Sequence, residues 1–165
     1  MNERALELRR EFDRSFAEPP RDGREPVADV LAIRVGGDAW ALRMEHLSHL
    51  ASGRKVVPVP SRRPELLGVA TVRGVLVPVF SLARLLGYAA PPGAPRWLAA
   101  CGAGPDAAFA FDVFERYLRV PAAAFSRADT RRPHVEELVR EGETVRTVVH
   151  LPSILGAMTR HGGTA

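Results

Sequence analysis

Leu66-Leu67-Gly68-Val69-Ala70-Thr71-Val72-Arg73-Gly74-Val75-Leu76-Val77-Pro78-Val79-Phe80-Ser81-Leu82-Ala83-Arg84-Leu85-Leu86-Gly87 is the most patterned segment of the chain and sets its architecture. Two β-branched runs flank Arg73-Gly74, and glycine at a hairpin tip supplies the positive φ that a tight primed turn requires. Val75, Val77 and Val79 alternate with Leu76 and Pro78, so both faces of the second run are apolar and the ribbon is expected to be buried on two sides. Pro78 has no N–H to give to a ladder, which assigns it to an edge or a bulge. At Ser81 the period changes. Its hydroxyl can cap a helix, Leu82, Leu85 and Leu86 form one stripe, and Gly87 stops it.

The unit recurs. Val79, Leu82, Leu85, Leu86 and Gly87 match Val148, Leu151, Ile154, Leu155 and Gly156 at constant spacing. Val30-Leu31-Ala32, a glycine turn and residues 40–44 likewise echo Trp97-Leu98-Ala99, a glycine turn and residues 109–113. Helical stripe and stop glycine repeat together, which predicts an internal duplication.

Outward from this core, the 165 residues suffice for one conventional domain or two very small ones sharing a core, and 46% hydrophobic residues is ordinary for a folded chain. Lys and Arg number 23 against 19 acidic residues, a mild net charge of +4 carried almost wholly by Arg, since Lys55 is the only lysine. Cys101 is alone, so no intrachain disulfide forms and a reducing compartment is the simpler inference. The N-terminus lacks a signal-peptide core, and no apolar run approaches the roughly 20 residues of a membrane span. A cytoplasmic protein is expected.

Residues 2–17 read as a charged helix with Ala5, Leu8, Phe12 and Phe16 on one stripe, either a lid on its own domain or a docking element for a partner. Pro19-Pro20-Arg21-Asp22-Gly23 breaks it, setting off an N-terminal helix and linker (1–26) from a folded region (27–157) and a flexible tail (158–165). Within the folded region, strands are expected near 30–35, 39–44, 97–101, 107–113, 116–120, 135–140 and 144–150, with residues 47–50 pairing further. The second short helix is expected to end at Gly156. Residues 89–95, dense in Pro, Ala and Gly, join the halves, and 127–133 are polar and exposed. Many short strands, glycine turns and a duplication imply small antiparallel barrels, because closing a sheet removes its edges.

Reactive chemistry is hard to find. No glycine-rich phosphate cradle and no nucleophile elbow occurs. His46 and His49 lack further ligands at metal spacing, so no metal or cofactor is expected. Cys101 sits in an apolar run as an inert buried thiol. Asp112 and Glu115, beside Arg116, read as members of a solvated ion pair rather than as an acid–base couple. Arg62-Arg63 and Arg131-Arg132 are basic without interleaved aromatics, unlike a nucleic-acid surface. The chain is expected to be no enzyme, and its product to be contact surface.

The central stretch resembles the signature of the CheW family, coupling proteins of bacterial chemosensory arrays. That signature runs as a Leu-x-Gly-Val, an Asn-Leu-Arg-Gly tip, a Val-Pro-Val strand and an Asp-Leu-Arg helix start. Leu66-Leu67-Gly68-Val69, Thr71-Val72-Arg73-Gly74, Val77-Pro78-Val79 and Ser81-Leu82-Ala83 match in order and spacing. The resemblance spans about residues 30–155. It implies a mainly β fold of two intertwined five-stranded SH3-like barrels with short helices.

It further implies a non-catalytic adaptor in motility control, joining the cytoplasmic tips of methyl-accepting chemoreceptors to the regulatory domain of a CheA-type histidine kinase. Other CheW-like proteins could join it in rings near the inner membrane, without nucleic acid or membrane insertion. The residues then expected at partner contacts are Leu47, His49, Gly68, Val72, Arg73, Gly74 and Val75, with Arg73 as polar anchor. His49 stands where the family commonly carries a Glu facing the tip Arg, Thr71 replaces its Asn and Ser81 its Asp. These departures raise the alternative of a divergent accessory protein that contacts receptors or array while binding the kinase weakly. A small ligand- or nucleic-acid-binding barrel is the reading from another class.

Overall fold

Gly36 and Gly37, with φ of 61° and 88°, turn strand β1 (Val27–Val35) back onto β2 (Asp38–Arg43) in the first hairpin of a computed structural model that describes residues 23–161 except 103 and 105. A 3₁₀ turn, Met44–His46, leads into β3 (Leu47–Ser52). The deciding stretch then forms β4 (Leu66–Val72), β5 (Val75–Ser81) and the one-turn helix α1 (Leu82–Leu85). After the connector come β6 (Trp97–Cys101), β7 (Ala107–Phe111), β8 (Val113–Pro121), a second 3₁₀ turn (Ala122–Ala124) and β9 (Phe125–Arg127). A last hairpin, β10 (Val135–Glu141) and β11 (Thr144–Val149), feeds α2 (Leu151–His161). The helix expected over residues 2–17 lies outside the described residues, as does the end of the tail.

The strands form two sheets, ordered β8-β1-β2-β11-β10-β9 and β3-β6-β7-β5-β4. They are intertwined: the leading hairpin β1–β2 pairs with strands of the C-terminal half, and β6–β7 pairs with strands of the N-terminal half. Each sheet holds one parallel pair, with Val148 facing Ala41 and Val79 facing Ala108. Equating Val79 with Val148 therefore equates Phe109 with Leu42, two residues off the expected match to Trp40. The sixth strand also has a counterpart. Ser126 of β9 faces Leu138, and at the same spacing Val57 makes an isolated bridge to Val69.

Side-chain alternation places the core on both faces of the central strands. Leu31, Ile33 and Val35 of β1 join Trp40, Leu42, Phe80, Phe109 and Phe111 in a large cluster that draws on both sheets. The opposite faces line smaller interiors, Val30, Val120, Val139 and Val148 in the six-stranded sheet and Ala51, Ala70, Val72, Val77 and Val79 in the other. Each fully buried large side chain contributes about 1.5–3 kcal/mol. The bulkiest ones, Trp40, Phe109 and Ile33, lie in the shared cluster, so it fastens the sheets together.

Three expectations need correction. One sheet has the expected five strands, but the other has six, because β9 forms at the edge of a segment expected to be loop. Pro78 lies on an interior strand, yet β7 pairs only with Val79–Ser81, so the missing N–H falls beyond that ladder. Gly87 does end α1: at φ 87° it donates to the Arg84 carbonyl while Tyr88 N–H reaches that of Ala83, a Schellman stop. Gly156 does not end α2, which continues to His161 with Met158 packed on the shared cluster.

Candidate partner-binding surface

The β4–β5 hairpin carries the sequence-expected surface. At its tip Arg73 and Gly74 adopt φ of 49° and 78°, the two positive values of a type I′ turn, so the strain falls on a non-glycine residue as well. Arg73 is exposed and makes no hydrogen bond or ion pair with any described residue. Beside it Val75 is 47% and Leu76 67% exposed.

The other expected contact residues scatter. Val72 is fully buried in the five-stranded barrel and shapes the tip from beneath. Gly68 is also internal: a Cβ there would stand 2.1 Å from the Val57 carbonyl oxygen, which the missing side chain admits. On β3 a bulge between Leu47 and His49 turns the chain. Leu47 packs on the shared cluster, and His49 is half-buried on the face of Ala51. No hydrogen bond or ion pair joins His49 to Arg73 among the described residues.

The register shows a surface that sequence patterns did not reveal. Across three strands Val57 faces Val69 and Val69 faces Pro78, while Thr71 faces Leu76. Directly paired residues share a face, so this is the outer side of the five-stranded sheet. Further along, at Phe80 and Phe109, the same side is covered by the other sheet. At the β4 edge it stays open, with Val57 49% exposed.

Charge is divided unevenly between the barrels. Residues 47–111 carry seven Arg or Lys against two acidic residues, Glu65 and Asp106. Among the described residues, no ion pair involves any of them. The arginine–carboxylate ion pairs among the described residues all lie in the six-stranded barrel and the residues just after it: Arg34 and Arg146 with Glu115, Arg43 with Glu45 and Glu137, Arg116 and Arg146 with Glu141, and Arg119 with Asp29. Arg43 also lies 4.0 Å over the Phe125 ring. Glu115 therefore pairs with Arg34 and Arg146 and not with neighbouring Arg116. Its chain neighbours share one partner strand, Arg116 facing Ala32 and Phe114 facing Ile33, so Glu115 is the extra residue of a bulge.

Between the barrels a cavity of about 480 Å³ is lined by Val35, Leu67, Ala83, Phe111, Pro91 and the Arg34 side chain among others. It is largely apolar. His46 and His49 do not come together as a pair; the His46 ring instead meets that of His150, 5.2 Å between centroids. No group of three or more His, Cys, Asp or Glu among the described residues is placed to hold a metal ion. Cys101 is buried, and burial, with Asp106 nearby, pushes its thiol up to about 12. No described helix is long and apolar enough to cross a membrane.

Two small intertwined barrels with an exposed hairpin tip define a module whose distinctive features are surfaces. A family model for the CheW-like domain matches residues 29–158, and the chain therefore belongs to the CheW-like family, a family of chemotaxis scaffold and adaptor proteins. Among solved structures it is similar to the scaffolding protein TtCheW from Thermoanaerobacter tengcongensis, with a TM-score of 0.67 and 12% identity over 75% of this chain and 89% of that one. At that identity the likeness speaks for the fold. No curated protein matches by sequence.

Proposed function

We propose that the protein is a non-catalytic adaptor of a bacterial chemosensory array, cytoplasmic and placed at receptor clusters near the inner membrane, coupling chemoreceptor tips to the regulatory domain of a CheA-type histidine kinase. The observation that carries this reading is the β4–β5 tip, where a strained turn holds an unpaired Arg73 beside exposed Val75 and Leu76. The turn holds the Arg73 backbone in place, its planar guanidinium fork suits a carboxylate, and adjacent apolar side chains supply area.

His49 favours a second reading. With no carboxylate facing Arg73 from β3, the guanidinium is free for a partner, and the kinase contact differs from one in which the chain braces its own Arg. This is the divergent accessory protein, holding receptor or array while binding kinase weakly.

Pull-down of receptor-tip and kinase regulatory-domain fragments separates the readings. The adaptor binds both, with Arg73→Ala weakening the kinase contact about tenfold, near 1.4 kcal/mol. The accessory protein holds receptor alone and gains kinase binding on His49→Glu. Binding of neither fragment overturns the proposal, as does tight kinase binding indifferent to both substitutions.

A further inference from the structure

We infer that the open outer face of the five-stranded barrel docks an acidic amphipathic protein segment, an apolar ridge between two clusters of carboxylates. This goes beyond the Arg73 contact, and rests on the adaptor reading only in taking the occupant to be a protein.

The apolar strip of Val57, Val69, Pro78 and Leu76 has cations at both ends. The antiparallel bridge of Val57 to Val69 makes the segment before β4 run back along its edge. Arg54 and Lys55 consequently lie toward the β4–β5 tip, near Arg73, and Gly53 N–H bonds the Arg96 carbonyl there. At the other end Leu66 N–H bonds the Arg63 carbonyl, and Arg84 donates to the Pro64 carbonyl, so Arg62, Arg63 and Arg84 form the second group. The seven residues of β4 separate the groups by about 20 Å. Four helical turns cover that length.

An apolar centre with an arginine rim is the anatomy of a protein interface. Six of the seven cations are Arg, whose planar fork suits a carboxylate in two-pronged contact. In the six-stranded barrel Arg34, Arg43, Arg116, Arg119 and Arg146 are taken up in ion pairs, whereas among the described residues none of the seven cations of the five-stranded barrel is.

The full chain is titrated with a synthetic helical peptide carrying one Leu stripe flanked by Glu clusters about 20 Å apart. Binding should weaken about tenfold from low salt to about 0.3 M, where screening shortens the reach of the charges to under about 10 Å. Reversal of either group, Arg54→Glu with Lys55→Glu or Arg62→Glu with Arg63→Glu, should abolish binding without lowering the thermal midpoint. Arg131→Glu with Arg132→Glu, an equal change of charge on the other barrel, should leave it within about twofold at about 0.15 M salt.

No peptide binding, salt-independent binding, or equal loss in the control pair overturns the inference. Capture of anionic vesicles or an oligonucleotide in place of the peptide overturns it in favour of a phosphate-bearing surface. Binding that appears only on removal of residues 2–22 assigns the face to the chain's own N-terminal segment. Receptor and kinase capture that persists through all reversals leaves the adaptor standing while this inference falls.

Discussion

The Arg146 guanidinium, only 3% exposed, donates to the Glu115 carboxylate at 2.5 Å inside the end of the six-stranded barrel. Arg146 shares the face of Val148, so it stands where an apolar side chain would continue that interior. Burial raises the Glu115 carboxyl, but hydrogen bonds from Arg34 and Arg146 outweigh it and hold the group below the usual carboxylate range. Arg146→Met leaves Glu115 with Arg34 alone and should destabilise the fold by about 2 kcal/mol in urea unfolding. Adding Glu115→Gln should restore part of the loss; full additivity would show that the two side chains do not interact.

Gly68 is predicted to be structural before it is functional. At φ 150° and with the Val57 carbonyl against its Cα, Gly68→Ala must break the Val57–Val69 bridge or move β4. A loss of about 2 kcal/mol or more is expected from strain and lost pairing. Partner binding should fall only in proportion to the unfolded fraction. A stable Gly68→Ala protein that fails to bind would place this glycine at the contact itself.

Acidification should weaken the fold where α2 begins. The His46 ring is depressed first by burial and then by His150, its Nδ1 buried without a hydrogen-bond partner; His134 is depressed by burial and then by His150. His150 Nδ1 accepts the Ser153 N–H at 3.2 Å in the first turn of the helix. Because His46 and His134 have folded pKa values below their unfolded ones, the unfolded chain binds more protons once pH drops below about 6.5. Stability is therefore full above that pH and declines as pH falls toward the folded values. Denaturation at pH 8 and 5.5 should show the loss, and His46→Leu should reduce it. An unchanged midpoint between the two pH values would contradict the assignment.

Cys101 should be inert in the native state. With its thiol pushed up to about 12 by burial, almost no thiolate exists near neutrality. A thiol-reactive chromophore should label the chain only in denaturant. Rapid native labelling would mean that the shared cluster opens locally.

Local signals were readable where neighbours in sequence carry the chemistry. Ser81 Oγ accepts the Arg84 N–H at 3.3 Å as expected of its position, and Arg73-Gly74 turns as its glycine required. Gly156 misled because a glycine ends a helix by adopting a left-handed φ, which it does not do here, and the next turn packs Met158 on the shared cluster. β9 is three residues long and pairs with β10 alone, too little alternation to register. Of the expected contact residues, those at the tip were legible from turn chemistry. The facing of Leu47 and His49 depended on a bulge with no signature in composition.

The local grammar was legible in the residues alone: two-faced apolar strands, primed turns, a capped turn of helix, and a motif resembling the CheW family's. Those features depend on residues within a few positions of one another, whose backbone preferences act before any fold exists. Folding in three dimensions was needed to show that β1–β2 and β6–β7 exchange halves, that Arg34 and Arg146 meet at Glu115, and that seven cations share a barrel with no carboxylate bonded to them among the described residues. Pairings across such separations come from loop closure and shared burial, and the same local strands can satisfy many of them until one core is filled.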